Sequence, residues 1–175
     1  MSRLRSGLVV PMPALEPVVG GHRSLWDPVA ELGALAHVTV LFPFAPPETI
    51  GARTLARVED ALAGCAAFPV TFESFGRFPD DVLYLAPEPA DAFRAVTAAL
   101  TSEFPEHPPY HGQYETVIPH LTVAHHPDAP VDTIEDELAA ALPLHTTADA
   151  VELWFEGGDE RWRTAARWEL SGART

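Results

Sequence analysis

Two short segments, HVTVLF (37–42) and HLTVAH (120–125), repeat the pattern His-apolar-Thr-Val, with their first histidines 83 residues apart. In an extended chain, side chains two positions apart share a face. Each segment therefore presents a histidine and a threonine on one side and apolar residues on the other. A loop marked by proline follows each segment, and a helical pattern follows each loop. The chain thus reads as two related halves. If they pack with pseudo-twofold symmetry, His37, Thr39, His120 and Thr122 converge across one groove.

The remaining pattern fits that frame. GLVVPM (7–12) reads as a first strand, and HVTVLFPF is a strand stopped by Pro46 and Pro47. Ile50, Leu55, Val58, Leu62 and Cys65 recur as one helical face. FPVTFESFGRF and DVLYLAP read as strands joined by a turn at Pro79-Asp80-Asp81. Phe93, Val96 and Leu100 mark a second helix, and Ile134, Leu138 and Leu142 a third. The segment 145–170 reads as a hairpin turning at Gly157-Gly158-Asp159. Strands, helices and hairpins mixed in this way predict an α+β fold with two largely antiparallel sheets. A single bilobal unit is expected over residues 1–175.

Charge narrows the partners. Twenty-five acidic side chains face eleven basic ones, all arginine, for a net charge of −14. Such a surface repels polyanions, so binding along extended nucleic acid is not expected, while a small anion held in a pocket is allowed. The lone Cys65 excludes an intrachain disulfide and a multi-cysteine zinc site, and reads as a buried structural thiol. The N-terminus opens with arginines and an apolar run, but Pro11, Pro13 and Glu16 interrupt it, against an export signal. No apolar stretch of about 18 residues is present to span a membrane. The expectation is a soluble cytoplasmic monomer with no membrane partner.

Two histidines and two threonines suit chemistry at phosphorus. Hydrolysis of a phosphodiester needs one proton removed from water and another delivered to the leaving oxygen. Histidine, with an ordinary pKa near 6.5, does either at neutral pH. Threonine hydroxyls can hold the non-bridging oxygens where charge builds. The arrangement calls for no metal or cofactor.

The paired segments resemble the His-x-Thr-x motifs of the 2H phosphoesterase superfamily, in its bacterial branch of 2′-5′ RNA ligases and RNA 2′,3′-cyclic phosphodiesterases. FGRFPDDVLYLAPEP and PPYHGQYETVIPHLTVA are similar to that branch's intervening segments, so the likeness spans about residues 7–170. The resemblance implies a bilobal fold whose motif strands line a central cleft. It also implies hydrolysis of a 2′,3′-cyclic phosphate, on a small nucleotide or an RNA end, to a 2′-phosphate, with 2′-5′ ligation as the reverse reaction. Carried over by position, His37 and His120 are the catalytic pair and Thr39 and Thr122 bind the phosphate. His120 is then the base that activates water, and His37 the acid that protonates the leaving 3′ oxygen. A different cyclic phosphodiester, such as ADP-ribose 1″,2″-cyclic phosphate, is an alternative substrate. A groove that binds phosphorylated ligands without turnover is an alternative function.

Four further residues are candidates for substrate contact. Arg77 offers a guanidinium to phosphate, or is a solvated strand end. Tyr110 and Tyr114, in the loop before the second motif, can stack a base or pack on their own lobe. Trp154 is a candidate cleft wall, with Leu153 and Phe155 turned to the core. Strict alternation puts His126 on the face of His120 and Thr122, and His125 behind. The histidines of 107–126 lack a carboxylate or cysteine at a familiar ligand spacing, so no metal site is expected. His22 and His145 read as surface residues.

Overall fold

A computed structural model describes residues 4–172. In chain order the elements are β1 (Ser6–Pro11), α1 (Glu16–Trp26), α2 (Pro28–Glu31), β2 (His37–Leu41), α3 (Ala52–Leu62), β3 (Phe68–Phe78), β4 (Val82–Glu88) and α4 (Ala90–Glu103). They continue with β5 (Leu121–His125), α5 (Val131–Ala139), β6 (Leu144–Ala148), β7 (Ala150–Glu156) and β8 (Trp162–Glu169). The strands form two four-stranded sheets, ordered β2-β1-β7-β8 and β5-β4-β3-β6. Every neighbouring pair is antiparallel. This is the α+β, two-sheet architecture expected from the sequence, with a motif strand at one edge of each sheet.

The halves share a plan of central strand, helix and motif strand. In the first it runs β1, α1, β2, and in the second β4, α4, β5. The helices cross over: α1 packs on β5, α4 packs on β2, and the two motif strands touch each other. Phe93, Val96 and Leu100 are buried on α4, at the spacing of one helical face. Val38, Val40, Leu121 and Val123 join side chains of both sheets, including Leu8, Leu83 and Leu85, in one continuous cluster. Burying each such side chain fully contributes about 1.5–3 kcal/mol. The motif strands are therefore pinned from behind by a core common to both lobes.

Each motif strand carries a bulge at the same motif position. In β2, Thr39 pairs with Val9 and Leu41 with Leu8, which leaves Val40 as the extra residue. In β5, Thr122 pairs with Tyr84 and Ala124 with Leu83, which leaves Val123. A bulge sets two residues against one and resets the alternation of faces. Two successive residues are accordingly buried after each threonine, Val40 with Leu41 and Val123 with Ala124. The Val40 carbonyl accepts a hydrogen bond from Thr97 Oγ1 of α4 at 2.8 Å.

Two sequence expectations need correction, and one helix was not foreseen. The C-terminal hairpin begins at Ala150, because residues 144–148 form β6 in the other sheet, paired with β3. The chain passes between sheets at Asp149, and both flanking alanines are buried. Residues 16–26 form α1, which Pro17, Gly20 and Gly21 concealed. The bulge in β5 reverses the placement of the histidine pair: His125 pairs with Val82 and lines the cleft pocket beside His120 and Thr122. His126 instead meets Trp26 of α1, ring centroids 5.7 Å apart. Of the N-terminal arginines, Arg5 is described and Arg3 lies outside the described residues.

Candidate active site

The two histidines are held alike. His37 Nδ1 lies 2.6 Å from the Leu35 carbonyl oxygen, and His120 Nδ1 lies 2.8 Å from that of Ile118. A carbonyl only accepts, so in each ring Nδ1 carries the hydrogen and donates. The neutral ring then has its lone pair on Nε2, ready to accept a proton, and the charged ring has a proton there to give. Thr39 and Thr122 follow on the same strand faces, and neither hydroxyl has a protein partner among the described residues. Both are available to a ligand.

Aromatic rings brace each imidazole, and the braces differ. Trp154, on β7, meets His37 edge to face with centroids 4.8 Å apart, and donates its indole N–H to Glu152 at 2.7 Å. Thr164 and Arg167 of β8 also hold Glu152. On the other side, Phe78 stacks on Tyr84 at 4.4 Å, and His120 stands edge-on to both, 4.9 and 5.5 Å away. Gly76 makes room for that stack, since a Cβ there would lie 2.2 Å from the Tyr84 ring. Burial pushes His37 down to about 4; the Leu35 carbonyl opposes this, and the Arg23 guanidinium and His120 add to it. Burial also lowers His120, against its bond to Ile118.

Arg23 belongs to a buried scaffold behind the first motif. It pairs with Asp27 at 2.8 Å, and Glu16 of α1 accepts the backbone N–H of Ala36 at 2.7 Å. The residue just before His37 is thereby tied to α1.

Pockets flank the pair. On the His120 side lies one of about 500 Å³, walled by Phe78, Tyr110, Tyr114, Ile118, His120 and Thr122. On the His37 side lies a smaller one of about 190 Å³. Thr39 and Tyr114 also line a groove of about 380 Å³ along α4. Tyr110 and Tyr114 meet edge to face at 5.7 Å. Burial, then the neighbouring Tyr114, raises the Tyr110 hydroxyl above its ordinary value. The Tyr110 N–H donates to the Phe42 carbonyl, which fastens this loop to the first lobe. Tyr110 and His111 are both left-handed, φ 50° and 56°, a conformation that costs on the order of 1–3 kcal/mol for a residue with a side chain.

The structure thus gathers His37, Thr39, His120, Thr122, Tyr110, Tyr114 and Trp154 around one cleft. Arg77 is elsewhere: its guanidinium pairs with Asp132 and Glu135 of α5, at 2.6 and 2.9 Å, and lines none of these pockets. Cys65 packs against the core, and burial raises its thiol. Among the described residues no three His, Cys, Asp or Glu side chains are placed to hold a metal ion. Nor is any helix long and apolar enough to cross a membrane.

Sequence reasoning missed Arg5, Phe42, Phe78, Tyr84, His125 and Trp162, all of which reach the cleft or its braces. For Phe78 and Tyr84 a signal existed. The hairpin turn at 79–81 sets Tyr84 opposite Gly76, and a glycine facing an aromatic ring marks a place where the ring covers the neighbouring strand.

Comparison with known proteins agrees with this fold. The family model of the 2′-5′ RNA ligase superfamily matches residues 11–160. The fold is similar to that of E. coli LigT complexed with 3′-AMP, with a TM-score of 0.62 and 15% identity over 97% of this chain and 99% of that one. LigT complexed with NADP+ gives 0.62 and 16% over 98% and 99%. TT0787 of Thermus thermophilus gives 0.68 and 16% over 97% and 100%. No protein of curated function matches the sequence significantly.

Proposed function

The chain belongs to the 2′-5′ RNA ligase superfamily, and from that premise we propose that it hydrolyses a nucleoside or RNA-end 2′,3′-cyclic phosphate to a 2′-phosphate. Water attacks phosphorus and gives a proton to the Nε2 of one histidine. The bond from phosphorus to the 3′ oxygen breaks, and that oxygen takes a proton from the Nε2 of the other. Thr39 and Thr122 donate hydrogen bonds to the non-bridging oxygens. With a 5′-hydroxyl in place of water as the attacking group, the same displacement breaks the bond from phosphorus to the 3′ oxygen, protonates that oxygen and forms a 2′-5′ phosphodiester.

The observation that carries this reading is the matched tethering of two imidazoles, Nδ1 to the carbonyl two residues back, in strands that touch. It leaves each Nε2 outside the tether, on strands that also carry two threonine hydroxyls without a protein partner among the described residues. The LigT structures with 3′-AMP and NADP+ support a small nucleotide as ligand. The acidic surface favours a small substrate over a long RNA, met by a monomer in the cytoplasm.

The order of acid and base is also open to test. The resemblance makes His120 the base, but the deeper depression of His37 makes it the harder ring to protonate. Those electrostatics favour His37 as base and His120 as acid. A substrate with sulfur in place of the bridging 3′ oxygen needs no general acid, so it restores turnover to whichever histidine variant lost the acid.

The deciding experiment is hydrolysis of the four nucleoside 2′,3′-cyclic monophosphates in the presence of EDTA, by the parent and by His37→Ala and His120→Ala. Formation of a 2′-phosphate, lost in both variants, is expected. Full activity in both variants would overturn the mechanism. An inactive parent would move the search to other cyclic phosphodiesters, such as ADP-ribose 1″,2″-cyclic phosphate, or to binding without turnover.

A further inference from the structure

The peptide units in front of the two motif histidines differ. Leu35 supplies the carbonyl that holds His37 Nδ1 at 2.6 Å, and the N–H of that same peptide unit, on Ala36, donates to Glu16 Oε2 at 2.7 Å. A carboxylate, an amide and an imidazole are thereby joined in one chain of hydrogen bonds. In front of His120 the corresponding unit joins Ile118 to Pro119, which has no N–H to donate. The second imidazole is tethered to its carbonyl, and the chain stops there.

The Glu16 end is built around this contact. Glu16 opens α1, and its side chain folds back over Gly20, where a Cβ would lie 2.7 Å from Oε1. Two turns on stands Arg23, 1% exposed, with Nη1 3.9 Å from Glu16 Oε2. That Nη1 is buried and makes no hydrogen bond of its own among the described residues. Nε and Nη2 of Arg23 donate to Asp27 at 3.2 and 2.8 Å, and Asp27, also buried, accepts the N–H of Val29. Buried ion pairs add little net stability, because desolvation offsets the attraction. Three charges that end on the peptide before His37 fit control of that peptide better than general stabilisation.

We infer that Glu16 is a positioning residue for His37 that acts through the Leu35–Ala36 peptide. By accepting the amide hydrogen it fixes the plane of that peptide, so the Leu35 carbonyl stays aimed at Nδ1. Hydrogen bonds in a chain polarise one another, so the first strengthens the second. His37 is then held in the tautomer that carries its hydrogen on Nδ1 and leaves Nε2 unprotonated. Arg23 and the space at Gly20 keep the Glu16 carboxylate where it reaches Ala36. This inference rests on the proposed role of His37 in hydrolysis, but its first readout needs no turnover.

The test is NMR of the histidine ring nitrogens in neutral solution, with His37 identified by its absence from His37→Gln. It is paired with kcat and KM for the preferred 2′,3′-cyclic nucleotide. The parent should show His37 as the Nδ1–H tautomer. Glu16→Ala should move the Nε2 resonance toward that of a ring exchanging between both tautomers, and lower kcat about tenfold with KM unchanged. Glu16→Gln, whose side-chain oxygen still accepts from Ala36, should keep the parent tautomer and most of kcat. Gly20→Ala raises helix propensity but pushes the carboxylate aside, and should change His37 in the same direction as Glu16→Ala. His120 should be unchanged in all three. A parent-like His37 in Glu16→Ala, a loss in Glu16→Gln as large as in Glu16→Ala, or an equal change at His120 would overturn the assignment. A tautomer that responds to Glu16 in a protein that turns over no cyclic nucleotide would keep this coupling and sink the proposed hydrolysis.

Discussion

The His37 and His120 sides of the cleft are the same device in two settings. Each has an edge strand, a bulge at the valine after threonine, and an imidazole tethered to the carbonyl two residues behind. Around that shared geometry little else matches. His37 sits against one indole, anchored by a carboxylate and backed by a buried arginine, next to a narrow pocket. His120 sits against a stacked phenylalanine and tyrosine, next to a wide one. The four-residue motif determines where the ring and hydroxyl are. The unrepeated side chains of the neighbouring strands β3, β4 and β7 determine how readily the ring takes a proton and what fits beside it.

The largest expected effect tests the shared part. His37→Ala and His120→Ala should each lower turnover of the preferred cyclic phosphate by about 10²–10⁴-fold, the range for a general acid or base. The folded state should be kept, which circular dichroism checks. If one variant stays active, the two sides are not partners in one reaction.

Next come the braces. Gly76→Ala drives a Cβ into the Tyr84 ring and should destabilise the protein by about 1–3 kcal/mol in urea unfolding, with reduced kcat. Trp154→Phe keeps a ring against His37 but frees Glu152 of its indole donor, and should cost about 1 kcal/mol. Equal effects of the two on kcat would indicate that the sides are braced to the same extent.

The pH profile sharpens the difference in charge. With His37 held at about 4 and His120 lowered from its ordinary value by burial, one ring protonated and the other neutral is the commonest arrangement between the two lowered values. The kcat/KM of the free protein should therefore peak on the acid side of pH 6.5. It should decline at higher pH as the donor ring loses its proton, and near pH 4 as the second ring gains one. A maximum above pH 7 would contradict the burial of both rings. The smallest effect is reserved for Arg77→Ala, which should leave turnover unchanged and lower the melting temperature slightly, since that guanidinium fastens α5 and not the ligand.

How much of this was legible in the sequence follows the same division. The doubled motif gave the two strands, their shared faces and the convergence of two lobes, because period-two patterning in an apolar context is a local signal. The side chains that tune the site come from strands far away in sequence and give no such signal. His125 and His126 show the limit well: alternation alone assigns them to faces, and one extra residue at Val123 exchanges them. The helix at 16–26 was hidden because proline and two glycines weaken its local pattern, while burial of Val19 and Arg23 supports it in the fold.

The exchange of helices between halves sets the cleft's width. Because α1 backs β5 and α4 backs β2, pulling the histidines apart would tear each motif strand from a helix of the opposite half. The gap between the two rings is then as incompressible as the interior behind them, and no hinge is needed to bring it to working size. A ligand meets a fixed gauge, and fragments carrying one half each would bring a motif strand without the helix that backs it.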